Sequence, residues 1–155
     1  MNIQFTDRKT FKEAMLYASE DCNMISISSC WNDHNEMVHK LAMIGRAEDS
    51  DCYMFLDIDS DESGFDILKA EAMYNTINTW MNLDYSQKPS SILIHCDMGV
   101  SRSGAVAKWI NDYYGLDDRY LNEYNCYNTY IYQMLMKAAG VDLKSWYESQ
   151  QGEIE

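Results

Sequence analysis

"SILIHCDMGVSRSGAVAKWI", residues 91–110, changes character twice within twenty residues. Ser91-Ile92-Leu93-Ile94-His95 is a short apolar run that follows Pro89, and it reads as a buried strand over 91–95. From Ala105 to Ile110 the apolar residues fall at helical spacing, which predicts a helix over 103–114. Between the two lies a loop with Cys96 at its start, Gly99 in its middle and Arg102 followed by Ser103 at its end. A loop between a buried strand and a helix N-terminus holds unpaired N–H groups, and such groups attract anions. Yet the chain carries a net charge of −13, so the attraction must be local.

Outward from this loop the chain alternates. "NIQF" reads as a strand, and Thr6 can cap a helix from about 7 to 17 that aligns Phe11, Ala14 and Met15. A strand over 24–28 precedes a helix over 36–44 with Met37, Leu41 and Ile44 on one face. A second apolar run, 52–58, ends in the acidic turn "DSDESG" and is followed by a helix over 71–82. Beyond the loop the spacing predicts helices over 103–114, 123–138 and 143–150, with Gly140 as a stop between the last two. This order predicts an α/β fold: a central, mostly parallel sheet flanked by helices, with a phosphate-binding loop between a strand and a helix. Ligands of such sheets sit at the strands' carboxyl ends, where Asp57 and Cys96 are expected.

The 155 residues suit one domain, expected over 1–150, with 151–155 a flexible tail. The first residues lack a secretory pattern and no apolar stretch is long enough for a membrane span, so the expectation is a cytoplasmic protein without a membrane partner. The acidic balance excludes nucleic acid as a general partner, because no basic stripe is present to neutralise a phosphate backbone. The five cysteines show no metal-ligand spacing and are expected to be reduced. Cys30, His34, Glu36 and His39 lie near one another in sequence, but they read as a polar helix face; neither metal nor cofactor is expected.

The loop's own chemistry is more specific. A cysteine ahead of a helix N-terminus lies beside unpaired amides and the positive dipole end, which stabilise a thiolate. Arg102 offers a planar fork that matches two oxygens of a tetrahedral anion. Asp97, Met98, Gly99, Val100 and Ser101 can curl so that successive amides form an anion nest, with Gly99 supplying the unusual torsion. Nucleophile, cradle and charge clamp then converge on one point, an arrangement suited to attack of sulfur on the phosphorus of a phosphate monoester.

"HCDMGVSRSG" resembles the signature of the cysteine-dependent protein tyrosine phosphatase superfamily, and it is most similar to the compact dual-specificity branch. The likeness extends through "FLDIDSDESGF", "INTWMN" and "SILIHC", covering about residues 24–140. The resemblance implies that Cys96 is the nucleophile and that Arg102 with the amides of 97–102 holds the phosphoryl oxygens. Ser103 would stabilise the departing thiolate, and His95 would orient the loop and support the thiolate. Asp97 departs from the commoner neutral or basic residue at its position; its side chain is expected to point out of the loop and its charge to oppose anion binding slightly.

The general acid implied by the resemblance is an upstream carboxylate, and the run Asp57, Asp59, Asp61, Glu62 is crowded. Spacing in common dual-specificity members favours Asp61 or Glu62. The Asp-Ile pair at the strand end with a glycine several residues later favours Asp57, which is the first choice, followed by Asp61 and Asp59. The implied substrate is phosphotyrosine, with phosphoserine and phosphothreonine as further candidates, on a protein or peptide. Members that act on inositol lipids carry basic residues inside the loop, and here none precedes Arg102. Two other readings stand beside it: a non-catalytic phosphate-binding module on the same fold, and an RNA 5′-triphosphatase. Redox control through Cys22, Cys30 or Cys52 as a resolving partner is a further candidate.

Overall fold

Four short strands are separated by three α-helices and followed by four more in a computed structural model that describes residues 1–152. The strands β1 (Asn2–Thr6), β2 (Cys22–Ser28), β3 (Ser50–Met54) and β4 (Ser91–His95) form one wholly parallel sheet in the order β1-β4-β2-β3. β2 and β4 are the two central strands; β4 is largely apolar, as a parallel strand covered on both faces is expected to be, whereas β2 also buries Asn23, Ser26 and Ser28. All seven residues of β2 are buried.

Two apolar layers sandwich the sheet. Helices α1 (Arg8–Ala14) and α2 (Trp31–Met43) cover one face, where Phe11, Met15, Met37 and Leu41 pack on Met24 and Leu93. Helices α3 (Ile67–Met81), α4 (Arg102–Tyr113) and α6 (Thr129–Ala138) cover the other, packing Met73, Ile77, Val106, Ile110, Ile131 and Leu135 on Ile25, Ile27, Ile92 and Ile94. The division follows from right-handed crossovers. The chain moves one way across the sheet from β1 through β2 to β3, with α1 and α2 on one side. It then turns back to insert β4, which sends α3 to the opposite side. Because every strand is parallel, all four carboxyl ends open on one edge, and the chain's reversal makes the end of β4 the place for a ligand.

Several boundaries differ from the sequence expectation for identifiable reasons. Asp7, not Thr6, caps α1, its carboxylate accepting from the Thr10 amide at 2.7 Å. α2 begins at Trp31 rather than near 36, because its first turn is mostly polar and exposed and Cys30 gives it no side-chain cap. β3 stops at Met54, so Asp57 lies in the loop beyond the strand and not at its end. The helix expected over 123–138 begins only at Thr129 as α6, after the Asn128 cap, and a separate short helix, α5 (Arg119–Glu123), precedes it. α7 (Leu143–Gly152) takes in the first two residues of the expected tail; residues 153–155 lie outside those described. Among the described residues no helix is long and apolar enough to cross a membrane, and no cluster of three His, Cys, Asp or Glu side chains is placed to hold a metal.

Candidate active site

The loop that links β4 to α4 is held open from below and behind. The Cys96 amide donates to the Thr6 carbonyl at 3.3 Å, carrying the β1–β4 ladder one residue past the strand. Gly99 has φ +70, and a Cβ there would stand 2.5 Å from the Thr6 carbonyl carbon, so only glycine lets the loop pass this close to the β1–α1 turn. On the far side the Tyr124 hydroxyl donates to the Val100 carbonyl at 2.5 Å. Ser101 stands at the N-cap of α4, yet its hydroxyl does not cap the helix; it donates to Asp57 Oδ1 at 2.7 Å. Among the described residues no acceptor takes the backbone N–H groups of Met98 to Ser103. A helix terminus normally satisfies such groups with a side chain. Here no side chain among the described residues does so.

Cys96 opens the loop, 2% exposed, with its Sγ 3.1 Å from the Ser103 hydroxyl. That hydroxyl, from the first turn of α4, can donate to a negatively charged sulfur. His95 is wholly buried beneath the loop, its ring 4.3 Å from that of Phe11. A carbonyl can only accept, so Nδ1 carries the proton and donates to the Cys96 carbonyl at 3.1 Å. Nε2 then accepts from the Ser26 hydroxyl at 2.6 Å. Burial lowers the His95 pKa to about 4, partly opposed by the bond to the Cys96 carbonyl; the neighbouring Arg8 lowers it further. The imidazole is therefore neutral, and it orients the loop by hydrogen bonding rather than by positive charge.

Arg102 decides what the loop can hold. Its side chain is anchored through Nη1, which donates to the Ser29 hydroxyl at 2.8 Å and to the Phe55 carbonyl at 2.7 Å. Nη2 pairs with Asp97 Oδ2 at 3.1 Å. A guanidinium has five N–H donors, and these three contacts leave Nε–H and one Nη2–H. Nε is buried without a partner, in a residue only 4% exposed. A buried charged group with two neighbouring free donors is costly unless an anion takes them.

Asp97 does not point out of the loop as expected. Its Oδ2 also accepts from the Ser29 hydroxyl at 2.7 Å, and its Oδ1 lies 3.3 Å from Arg8 Nη2. Partial burial works to raise its pKa, but the Ser29 hydroxyl and the Arg102 and Arg8 guanidinium groups outweigh it and hold the carboxyl below its ordinary value. Asp97 is thus the brace for Arg102. Arg8 is itself tied to the Ser28 hydroxyl at 2.8 Å.

No protein-family model and no curated protein matches the chain. The site therefore rests on its own geometry.

Of the candidates Asp57, Asp59 and Asp61, Asp57 is the one hydrogen-bonded to the loop, through the Ser101 hydroxyl, and it also accepts from Asn128 Nδ2 at the N-cap of α6 at 2.9 Å. Asp59 accepts instead from the Thr129 hydroxyl at 2.9 Å and the Tyr130 amide at 2.7 Å, in the first turn of α6. Asp61 opens a 3-10 turn, Asp61–Ser63, and is itself exposed. Met98 and Val100 project from the loop, 79% and 45% exposed, and give its rim an apolar character. All five cysteines are free. Sequence reasoning did not single out Ser29, Arg8, Asn128 or Tyr124. The first two lie just past the carboxyl ends of β2 and β1, where the fold rule alone would have directed attention. Asn128 and Tyr124 carry no such signal.

Proposed function

We propose that this chain is a phosphatase of phosphate monoesters that works through a cysteinyl-phosphate intermediate, and that the resemblance in its loop reflects that chemistry. The observation that carries the reading is the buried Arg102 fork, with Nε–H and one Nη2–H free in the same loop as Cys96 and the unpartnered amides. In the first step Cys96 sulfur bonds to phosphorus as the ester P–O bond breaks. Asp57 gives its proton to the departing oxygen and becomes a carboxylate. Arg102 and the loop amides hold the three equatorial oxygens, whose charge is best met by donors already in place. In the second step Asp57 takes a proton from water as the water oxygen bonds to phosphorus. The P–S bond then breaks, and the Ser103 hydroxyl receives the sulfur as thiolate.

The apolar rim of Met98 and Val100 suits an aryl ester, which favours phosphotyrosine on a protein or peptide, with phosphoserine and phosphothreonine as lesser substrates. A reactive thiol needs a reducing compartment, so the cytoplasm is the setting that fits this reading.

The test is hydrolysis of p-nitrophenyl phosphate, with chelator present, by wild type, Cys96→Ser and Asp57→Asn. Turnover should vanish in Cys96→Ser and fall by about 10²-fold or more in Asp57→Asn, the usual contribution of a general acid. Turnover that survives Cys96→Ser overturns the mechanism. A wild type that is inert yet binds vanadate would instead be a phosphate-binding module.

A further inference from the structure

Asn128 has every polar group engaged, and the partners belong to three different elements. Its Nδ2 donates to Asp57 Oδ1 at 2.9 Å and to the Ile58 carbonyl at 3.2 Å, on the loop after β3. Its Oδ1 accepts from the Ile131 amide at 3.1 Å and so caps α6. Its backbone amide donates to the Ser101 carbonyl at 3.0 Å, on the phosphate loop. The residue is only 6% exposed, so these bonds are shielded from competing water. The same Asp57 Oδ1 also receives the Ser101 hydroxyl at 2.7 Å. An oxygen that accepts two donors is a poor place for a proton. Among the described residues, Asp57 Oδ2 has no hydrogen-bond partner.

We infer that Asn128 is a positioning residue for the general acid: it fixes the Asp57 carboxyl against the phosphate loop and reserves Oδ2 as the atom that carries the transferable proton. The inference rests on the phosphatase reading above. Asn128 touches no reacting atom. It acts through Asp57, so its loss matters only as much as the leaving oxygen needs a proton. An ester with an acidic leaving group needs that proton less than an ester with a basic one, so the basic one should lose more.

The experiment compares kcat/KM for p-nitrophenyl phosphate and phenyl phosphate in wild type, Asn128→Asp and Asn128→Ser. Aspartate at this position keeps an oxygen for the Ile131 amide, and Asp, Asn and Ser are comparable N-caps. It also turns the donor facing Asp57 into an acceptor. Serine keeps a cap and is too short to reach Asp57, so one of the two variants serves if the other folds poorly, as judged by thermal unfolding. The expected result is a loss at least ~10-fold greater on phenyl phosphate than on p-nitrophenyl phosphate, a share of the 10²–10⁴-fold range of acid catalysis. In an Asp57→Asn background the same substitutions should add no further discrimination, because the group they position is already gone. Equal losses on both esters, or undiminished discrimination in the Asp57→Asn background, overturn the inference and leave the phosphatase reading standing. A wild type inert on both esters removes the reaction itself, and the inference with it.

Discussion

At the residue scale, the buried His95 ring links the Cys96 loop to acid stability. Its pKa, lowered to about 4 chiefly by burial, lies below the ordinary histidine value of about 6.5 that the unfolded chain presents. Between those two values the unfolded chain binds a proton that the folded one refuses. Stability from this group is therefore fully present above about pH 6.5 and drains away as pH falls towards 4, by an order of 3 kcal/mol in all. Asp97, whose carboxyl is held below its ordinary value, adds a loss of the same sign at still lower pH. Urea unfolding of wild type and His95→Gln between about pH 7 and 4 reads the histidine alone. Wild type should lose stability steeply over that window, while the variant's profile should be flatter. Parallel profiles would mean that the ring accepts a proton in the folded state, and that the hydrogen bonds to Ser26 and to the Cys96 carbonyl are not holding it neutral.

At the scale of elements, the loop from Cys96 to Arg102 depends on a close approach as well as on its own torsions. Gly99 and Gly115 both have left-handed backbones, with φ +70 and φ +64, but a Cβ at Gly115 meets nothing within 4 Å. Gly115→Ala should therefore show the torsional penalty alone, about 1–2 kcal/mol. Gly99→Ala must in addition push the loop off the Thr6–Asp7 backbone, so its loss should exceed that of Gly115→Ala by more than about 1 kcal/mol. Vanadate affinity should fall in Gly99→Ala and stay at the wild-type level in Gly115→Ala. Equal unfolding midpoints for the two variants would show that the β1–α1 turn yields freely to the loop.

The elements that were readable in the sequence are those whose cause is local. β4, Cys96, Arg102 and the start of α4 follow from an apolar run, a glycine and a helical period within 91–110. The break between α5 and α6 was not readable, because no glycine or proline makes it between 119 and 138. It is made by Tyr124 reaching the Val100 carbonyl and by Asn128 reaching Asp57 and Ser101, contacts between residues far apart in the chain. Asp97 was misjudged for the same reason: its position predicts a rim charge, and only the fold brings Ser29 and Arg8 to it. The acidic run 57–62 could be recognised as a source of an acid, but its members are told apart by tertiary partners alone.

At the scale of the whole molecule, the proposed anion site stands in a chain of net charge −13. The site's attraction is short-ranged, made of amides and one buried guanidinium, whereas the surface field reaches about 10 Å at 0.1 M salt. The two act on different stages of an encounter. The field governs approach and the loop governs capture, so ionic strength should separate them. For a small dianion such as p-nitrophenyl phosphate, added salt screens a net repulsion, and kcat/KM should rise between about 20 and 300 mM while kcat stays level. A phosphotyrosine peptide flanked by lysines or arginines should behave oppositely, its kcat/KM falling over the same range as salt screens an attraction. An acidic-flanked peptide should follow the dianion. If all three substrates respond alike, the charge that matters is confined to the loop, and the acidic surface has no part in choosing the substrate.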